Sequence, residues 1–126
     1  MVKPILYKGE TEIINSQIAS KENIDSIQRA LVKVVTEALG KPAASEKVEV
    51  AGTPSTSKIS IVDDDLDSKT FLEYSVEFCG FFPADNPKYS VIVSMNKMGL
   101  PASGGLMAGS VFSEIVDFMM ETENNK

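Results

Sequence analysis

Cys79-Gly-Phe-Phe-Pro-Ala-Asp-Asn-Pro-Lys-Tyr-Ser-Val-Ile92 is the stretch that decides the fold. Leading into it, Tyr74, Val76 and Phe78 alternate with Ser75 and Glu77; leading out of it, Tyr89, Val91, Val93 and Met95 alternate with Ser90 and Ser94. An apolar residue at every second position is the pattern of a strand with one face buried, because successive side chains of an extended chain point to opposite sides. Between the two runs, Pro83 and Pro87 lack the N–H a ladder needs, and Asp85 and Asn86 satisfy a turn locally. The stretch predicts a β-hairpin, and the remaining segments are placed around it.

Upstream, Ile24, Ile27, Leu31, Val34, Val35 and Leu39 recur at helical spacing, with Ser20 placed to cap the start and Gly40 to stop it. A helix over 20–40 is predicted, with Asp25, Gln28, Arg29, Lys33 and Glu37 on its outer face. Residues 1–19 read as a short ribbon or lead-in, and Lys41 to Lys47 as a linker. Val48 to Val50, with Ile59 and Ile61, predict a first strand entered through a bend at Gly52, so that 48–95 forms a three-stranded antiparallel sheet. After a loop rich in Gly, Pro and Ser, a helix over 105–121 presents Met107, Val111, Ile115, Phe118 and Met119 as its inward stripe. The expected class is α+β: one domain over 1–126, three main strands and two helices on one face of the sheet. Such a sheet leaves its other face bare, and we expect that face to be apolar and covered by a second copy or by another part of a longer chain.

Composition narrows the function. Twelve Lys and Arg against 18 Asp and Glu give a net charge of −6, which disfavours nucleic acid and anionic membrane surfaces as partners. The chain has no histidine, and its single cysteine leaves no internal disulfide, so the commonest metal ligand and the commonest general base near neutral pH are both missing. No metal or cofactor is expected. Asp63, Asp65 and Asp67 occupy the first, third and fifth places of a calcium-loop pattern, but Ser68 stands where the glycine is needed and Tyr74 where the bidentate glutamate is needed, so a solvated loop is the reading. The opening residues contain neither a secretory signal nor a membrane-spanning run, which places the protein in the cytoplasm if Met1 is its native start.

Two short patterns bear on nucleophilic chemistry. Ser55-Thr-Ser-Lys58 has the S-x-x-K spacing of serine acyl-transfer enzymes, and Ser94-Met-Asn96 the accompanying S-x-N. That chemistry places the serine and lysine one helical turn apart, whereas Lys58 leads into the alternating Ile59-Ser-Ile-Val, where residues three apart face opposite ways. Chance matches are the reading for both. Cys79, with no histidine to activate it, reads as buried apolar filler.

With the segments placed, the chain resembles the C-terminal part of the transpeptidase domain of penicillin-binding proteins, class B, cell-division type. The resemblance rests on Met1-Val-Lys-Pro4, Val50-Ala-Gly-Thr-Pro-Ser-Thr56, Gly80-Phe-Phe-Pro-Ala-Asp-Asn-Pro-Lys-Tyr89 and Gly104-Gly-Leu-Met-Ala-Gly-Ser-Val-Phe112, four motifs in the family's order. It implies a fold in which the strand after Val50-Ala-Gly lines the acyl site, and in which a Lys-Thr-Gly triad binds the substrate carboxylate. Here the matching positions are Thr53, Pro54 and Ser55, with only Thr56 keeping its family identity. These four are expected to be vestigial substrate-strand positions: the lysine charge is gone, Pro54 removes a backbone donor, and Ser55 replaces a glycine.

The family's nucleophile lies on a helical part upstream. We therefore expect a non-catalytic chain with a structural or interaction role in peptidoglycan synthesis and cell division, no catalytic residue of its own, and either a homodimer or the helical transpeptidase part as partner. One alternative is an excised piece of a complete D,D-transpeptidase, which would place it outside the cytoplasm on an anchored protein. The other is an unrelated cytoplasmic binding module.

Overall fold

The computed structural model describes residues 13–64 and 69–124. The first twelve residues of the predicted ribbon, and Asp65 and Asp67 of the aspartate run, lie outside the described residues. Helix α1 spans Lys21–Glu37, followed by a 3-10 turn at Lys41–Ala43; strands β1 (Ala51–Asp64), β2 (Lys69–Phe82) and β3 (Tyr89–Met98) come next, then a π-helical turn at Gly104–Ala108 and helix α2 (Gly109–Asn124). The strands form one antiparallel sheet in the order β1-β2-β3. The α+β class and both helices follow the sequence expectation.

The β2–β3 hairpin forms where the alternation placed it. Phe82 pairs with Tyr89, Phe78 with Val93 and Val76 with Met95, and Lys88 N–H donates to the Phe82 carbonyl across the turn (3.1 Å). Ala84 N–H donates to the Glu49 carbonyl (2.9 Å), pinning the turn to the chain entering β1. Because side chains alternate, one sheet face collects Val76, Phe78, Phe82, Tyr89, Val91, Val93 and Met95. That face meets Val35 of α1 and Phe112 and Val116 of α2 in one core, where Phe112 stacks at a tilt on Phe78 (4.8 Å between ring centres) and meets Phe82 edge-on (6.2 Å).

Helix α1 begins as predicted: the Ser20 hydroxyl accepts from Asn23 N–H at 3.3 Å. Gly40 closes it, donating its N–H to the Val34 carbonyl (3.0 Å) in a place where a Cβ would lie 2.9 Å from that same oxygen. The inward stripe is narrower than its spacing implied. The helix packs on β1 at the sheet's margin, so Val35 alone is fully buried, Ile27 is turned out, and Leu39, beyond the last helical residue, is 81% exposed.

In α2 the stripe is turned by one residue. Ala108, Phe112 and Val116 are the buried positions, Ile115 and Met119 flank them, and Val111 and Phe118 point outward, Phe118 with 69% of its surface exposed. The π-helical turn ends before α2 and shifts no α2 residue against another; α2 is apolar on two sides, and the side carrying Phe112 and Val116 turns inward. Small residues in that turn also let the helix approach the sheet closely enough for Phe112 to reach Phe78.

The expected linker is a packed connector. Ala43 is fully buried, Ser45 Oγ donates to Asp117 Oδ1 at 2.5 Å, Ser113 Oγ donates to the Ala44 carbonyl at 2.6 Å, and Lys47 pairs with Glu121. Nor does β1 bend at Gly52. The strand runs straight through it, and glycine is needed because a Cβ would lie 2.7 Å from the Phe78 ring and from the Cys79 carbonyl. At the far end of α2, Glu123 accepts a hydrogen bond from the Tyr89 hydroxyl, and that bond above all raises the phenol's pKa above 10.0.

The sheet's second face departs from expectation. It carries Thr53, Ser55 and Ser57 on β1, Glu73, Ser75, Glu77 and Cys79 on β2, and Ser94 and Asn96 on β3, with Phe81, Ile92 (71% exposed) and Met98 (49% exposed) as its large apolar members. The polar members of each alternating strand gather here, so this face is largely hydrophilic and not the bare apolar layer expected.

Candidate functional site

Thr53, Pro54, Ser55 and Thr56 lie together in β1, which stands at the margin of the three-stranded sheet among the described residues, with β2 on one side. Thr53 pairs with Cys79, Pro54 with Phe78, Ser55 with Glu77 and Thr56 with Val76. Parity therefore sends the side chains of Thr53 and Ser55 to the polar face and those of Pro54 and Thr56 to the helix side.

Pro54 also fixes which backbone groups stay free. Proline has no N–H to give to β2, so position 54 belongs to the pairs whose backbone groups turn away from the partner strand. Alternation then directs the Thr56 N–H and carbonyl outward as well, while Thr53 and Ser55 bond to β2. The edge thus keeps a backbone donor and acceptor at Thr56 and has lost the donor at 54.

The helix side of this edge is built by glycines. Thr56 Oγ1 accepts from Gly104 N–H at 2.9 Å, and a Cβ on Gly104 would fall 2.0 Å from the Ser55 carbonyl and 2.4 Å from the Glu77 carbonyl. A Cβ on Gly105 would fall 2.0 Å from the Leu39 carbonyl. The π-helical turn therefore lies directly against β1, and between them opens a cavity of about 250 Å³ lined by Leu39, Pro54, Ser55, Thr56, Ser103 and the two glycines. Sequence reading found the paired glycines as a motif but gave no sign that they sit beside Thr56, a contact across 48 residues.

The S-x-x-K pair is not assembled. Lys58 pairs with Tyr74 and lies on the helix side, while Ser55 lies with Glu77 on the polar face. Ser94 and Asn96 are both on the polar face, where Ser94 Oγ donates to Glu77 Oε1 (3.1 Å) and Asn96 Nδ2 to Glu73 Oε1 (3.0 Å). Cys79 corrects the expectation of buried filler. It follows Glu77 on the polar face and is exposed, because no element described packs there. For Glu77 the sequence signals no more than an outward strand position between Val76 and Phe78.

An edge strand entered through Val-Ala-Gly, a three-stranded sheet and a C-terminal helix packed through Gly-Gly define a transpeptidase-like α+β unit. The penicillin-binding protein transpeptidase domain model matches residues 1–117, and the chain belongs to that family. Stage V sporulation protein D of Bacillus subtilis is 31% identical over 112 residues, covering 86% of this chain and 16% of that protein. Among solved structures, the transpeptidase domain of the FtsI4 D,D-transpeptidase from Legionella pneumophila is similar with a TM-score of 0.65 and 32% identity, covering 86% of this chain and 38% of that one. The TP domain of Burkholderia pseudomallei penicillin-binding protein 3 is similar with a TM-score of 0.59 and 27% identity, covering 77% of this chain and 29% of that one.

The chain thus spans about one-sixth of the curated relative's length and little more than a third of the first solved domain. These findings overturn the expectation that the protein is not an enzyme. The family is defined by a transpeptidase domain, and a solved relative is a D,D-transpeptidase. That expectation rested on this segment's lack of a serine-lysine nucleophile helix and of the Lys-Thr-Gly triad, and it left any longer chain open. Among the described residues no helix is long and apolar enough to cross a membrane.

Proposed function

We propose that this chain is the substrate-strand part of a class B, cell-division-type D,D-transpeptidase that cross-links peptidoglycan outside the cytoplasm. The nucleophilic serine comes from a helical part of the same polypeptide that sits against the outer side of β1. The observation carrying this reading is that Thr56 lies in the sheet's marginal strand among the described residues, shortly after Val50-Ala51-Gly52, where alternation from Pro54 directs its N–H and carbonyl away from β2.

An extended peptide laid beside β1 gains main-chain hydrogen bonds from that edge, as in strand addition to any exposed sheet margin. Beside a serine nucleophile, an edge N–H is also the kind of fixed donor that stabilises the oxyanion formed when the serine attacks a carbonyl. Thr53 and Ser55 offer hydroxyls where the motif resemblance implies Lys and Gly, so on this reading the peptide is gripped by backbone and neutral groups. Homodimerisation through the polar face is not needed by this reading.

The test is reaction of the complete polypeptide, upstream residues included, with a fluorescent penicillin. A covalent adduct is expected on a serine outside residues 13–124, and restoring the cation with Thr53→Lys is expected to raise the labelling rate by roughly tenfold, about 1.4 kcal/mol of barrier. An adduct on Ser55, or no adduct in either protein, overturns the reading.

A further inference from the structure

Gly104 N–H is one of the donors at the start of the π-helical turn that no carbonyl within the turn can reach. Its neighbours are served locally: Leu106 N–H donates to Ser103 Oγ at 3.2 Å and Met107 N–H to the Ser103 carbonyl at 2.9 Å. Because Gly104 is buried, its own N–H depends on a protein partner, and that partner is the Thr56 hydroxyl of β1 at 2.9 Å. The turn that leads into α2 is thus capped by a strand side chain 48 residues away.

The same bond acts on the strand. At Thr56 the backbone N–H and carbonyl turn away from β2, and Pro54 has no N–H, so this stretch of β1 is tied to the ladder through Thr53, Ser55 and Ser57. A strand held along one side twists readily about its own axis, and twist here would swing the outward N–H of Thr56. The Thr56 side chain leaves β1 toward the helix side, across the plane of the ladder, so its bond to Gly104 opposes that twist. Nor can the turn follow the strand. A Cβ on Gly104 would fall 2.0 Å from the Ser55 carbonyl and one on Gly105 2.0 Å from the Leu39 carbonyl, which leaves the turn wedged between β1 and the chain leaving α1.

We propose that Gly104 is a positioning residue: through the Thr56 hydroxyl, its N–H holds the outward backbone donor of Thr56 in the orientation that acyl transfer uses. The hydroxyl is committed to the turn, and the Thr56 backbone is what meets the substrate. This rests on the edge-docking reading above.

The experiment compares the complete polypeptide with its Thr56→Val and Thr56→Ser variants. Valine keeps the branched shape suited to a strand and lacks the acceptor, whereas serine keeps the acceptor. Amide hydrogen exchange is followed in the substrate-free protein, and reaction with a fluorescent penicillin is resolved into a binding constant and an acylation rate constant. The Gly104 amide is expected to be protected in the wild type and in Thr56→Ser. Thr56→Val is expected to lose that protection and to exchange faster at Ser55 and Ser57. Its acylation rate constant is expected to fall roughly tenfold with the binding constant within about twofold, as for a donor misdirected but not removed, and Thr56→Ser is expected to stay within about threefold of the wild type. An unchanged acylation rate in Thr56→Val, a loss confined to the binding constant, or an equal loss in Thr56→Ser overturns the assignment while leaving edge docking in place. So does slower acylation with exchange at Gly104, Ser55 and Ser57 unaltered, because the hydroxyl would then act on the substrate itself. No labelling of the wild type overturns edge docking and, with it, this assignment.

Discussion

At the scale of single residues, Gly104 shows how closely the parts of the site are fitted. Its N–H serves Thr56 Oγ1, and the space a Cβ would need is already taken by two backbone carbonyls, Ser55 and Glu77, which have no side-chain freedom with which to yield. Gly104→Ala is therefore expected to destabilise the fold by about 3 kcal/mol, at the upper end of overpacking costs. Gly109→Ala serves as the control, since its nearest neighbours are at 3.4 and 3.5 Å. Urea unfolding checks both; equal midpoints for the two variants would contradict the packing described. Parity in the strands explains what single residues revealed in advance and what they hid. Alternation correctly set Ser75 and Glu77 apart from Val76 and Phe78, but Cys79 was judged by its apolar chemistry when its odd position had already assigned it to the exposed face.

Among the elements, α2 brings Phe112 and Val116 into the core beneath the hairpin. Phe112 touches Phe78 and Phe82 and fills the space over Gly80, where a Cβ would lie 2.8 Å from its ring. Phe112→Ala is expected to cost about 3–5 kcal/mol, as for other buried aromatic truncations. Phe118→Ala, on the exposed side, should cost less than about 1 kcal/mol. A calorimetric comparison of the two variants decides which phase of the helix faces inward, and the opposite ranking would restore the stripe read from spacing. The hairpin was legible because prolines and alternation agreed over a long stretch. The phase of α2 was not, because apolar residues occupy two of its faces and only packing against Phe78 and Phe82 chooses between them. The exposed Leu39 has the same kind of origin: periodicity continued past Glu37, where the helix ends.

For the whole molecule, the question is what brings Thr53–Thr56 to a margin of the sheet. A linear sequence names strands without giving their order, so only Pro54, a residue tolerated at sheet edges and not in their interior, hinted locally that β1 is outermost. The rest came from the likeness to a family, and the contact of Gly104 with Thr56 came from the fold alone. On the proposed function β1 is a docking edge, walled on one side by the π-helical turn. The measurement that tests this most directly is a ¹⁵N–¹H titration of the protein with a D-alanyl-D-alanine peptide, following the amides of β1. The account predicts that the outward-facing amide of Thr56 shifts strongly on binding while those of Thr53 and Ser55, bonded to β2, shift little. Shifts centred on α1 and not on β1, or equal shifts along β1 irrespective of parity, would contradict it.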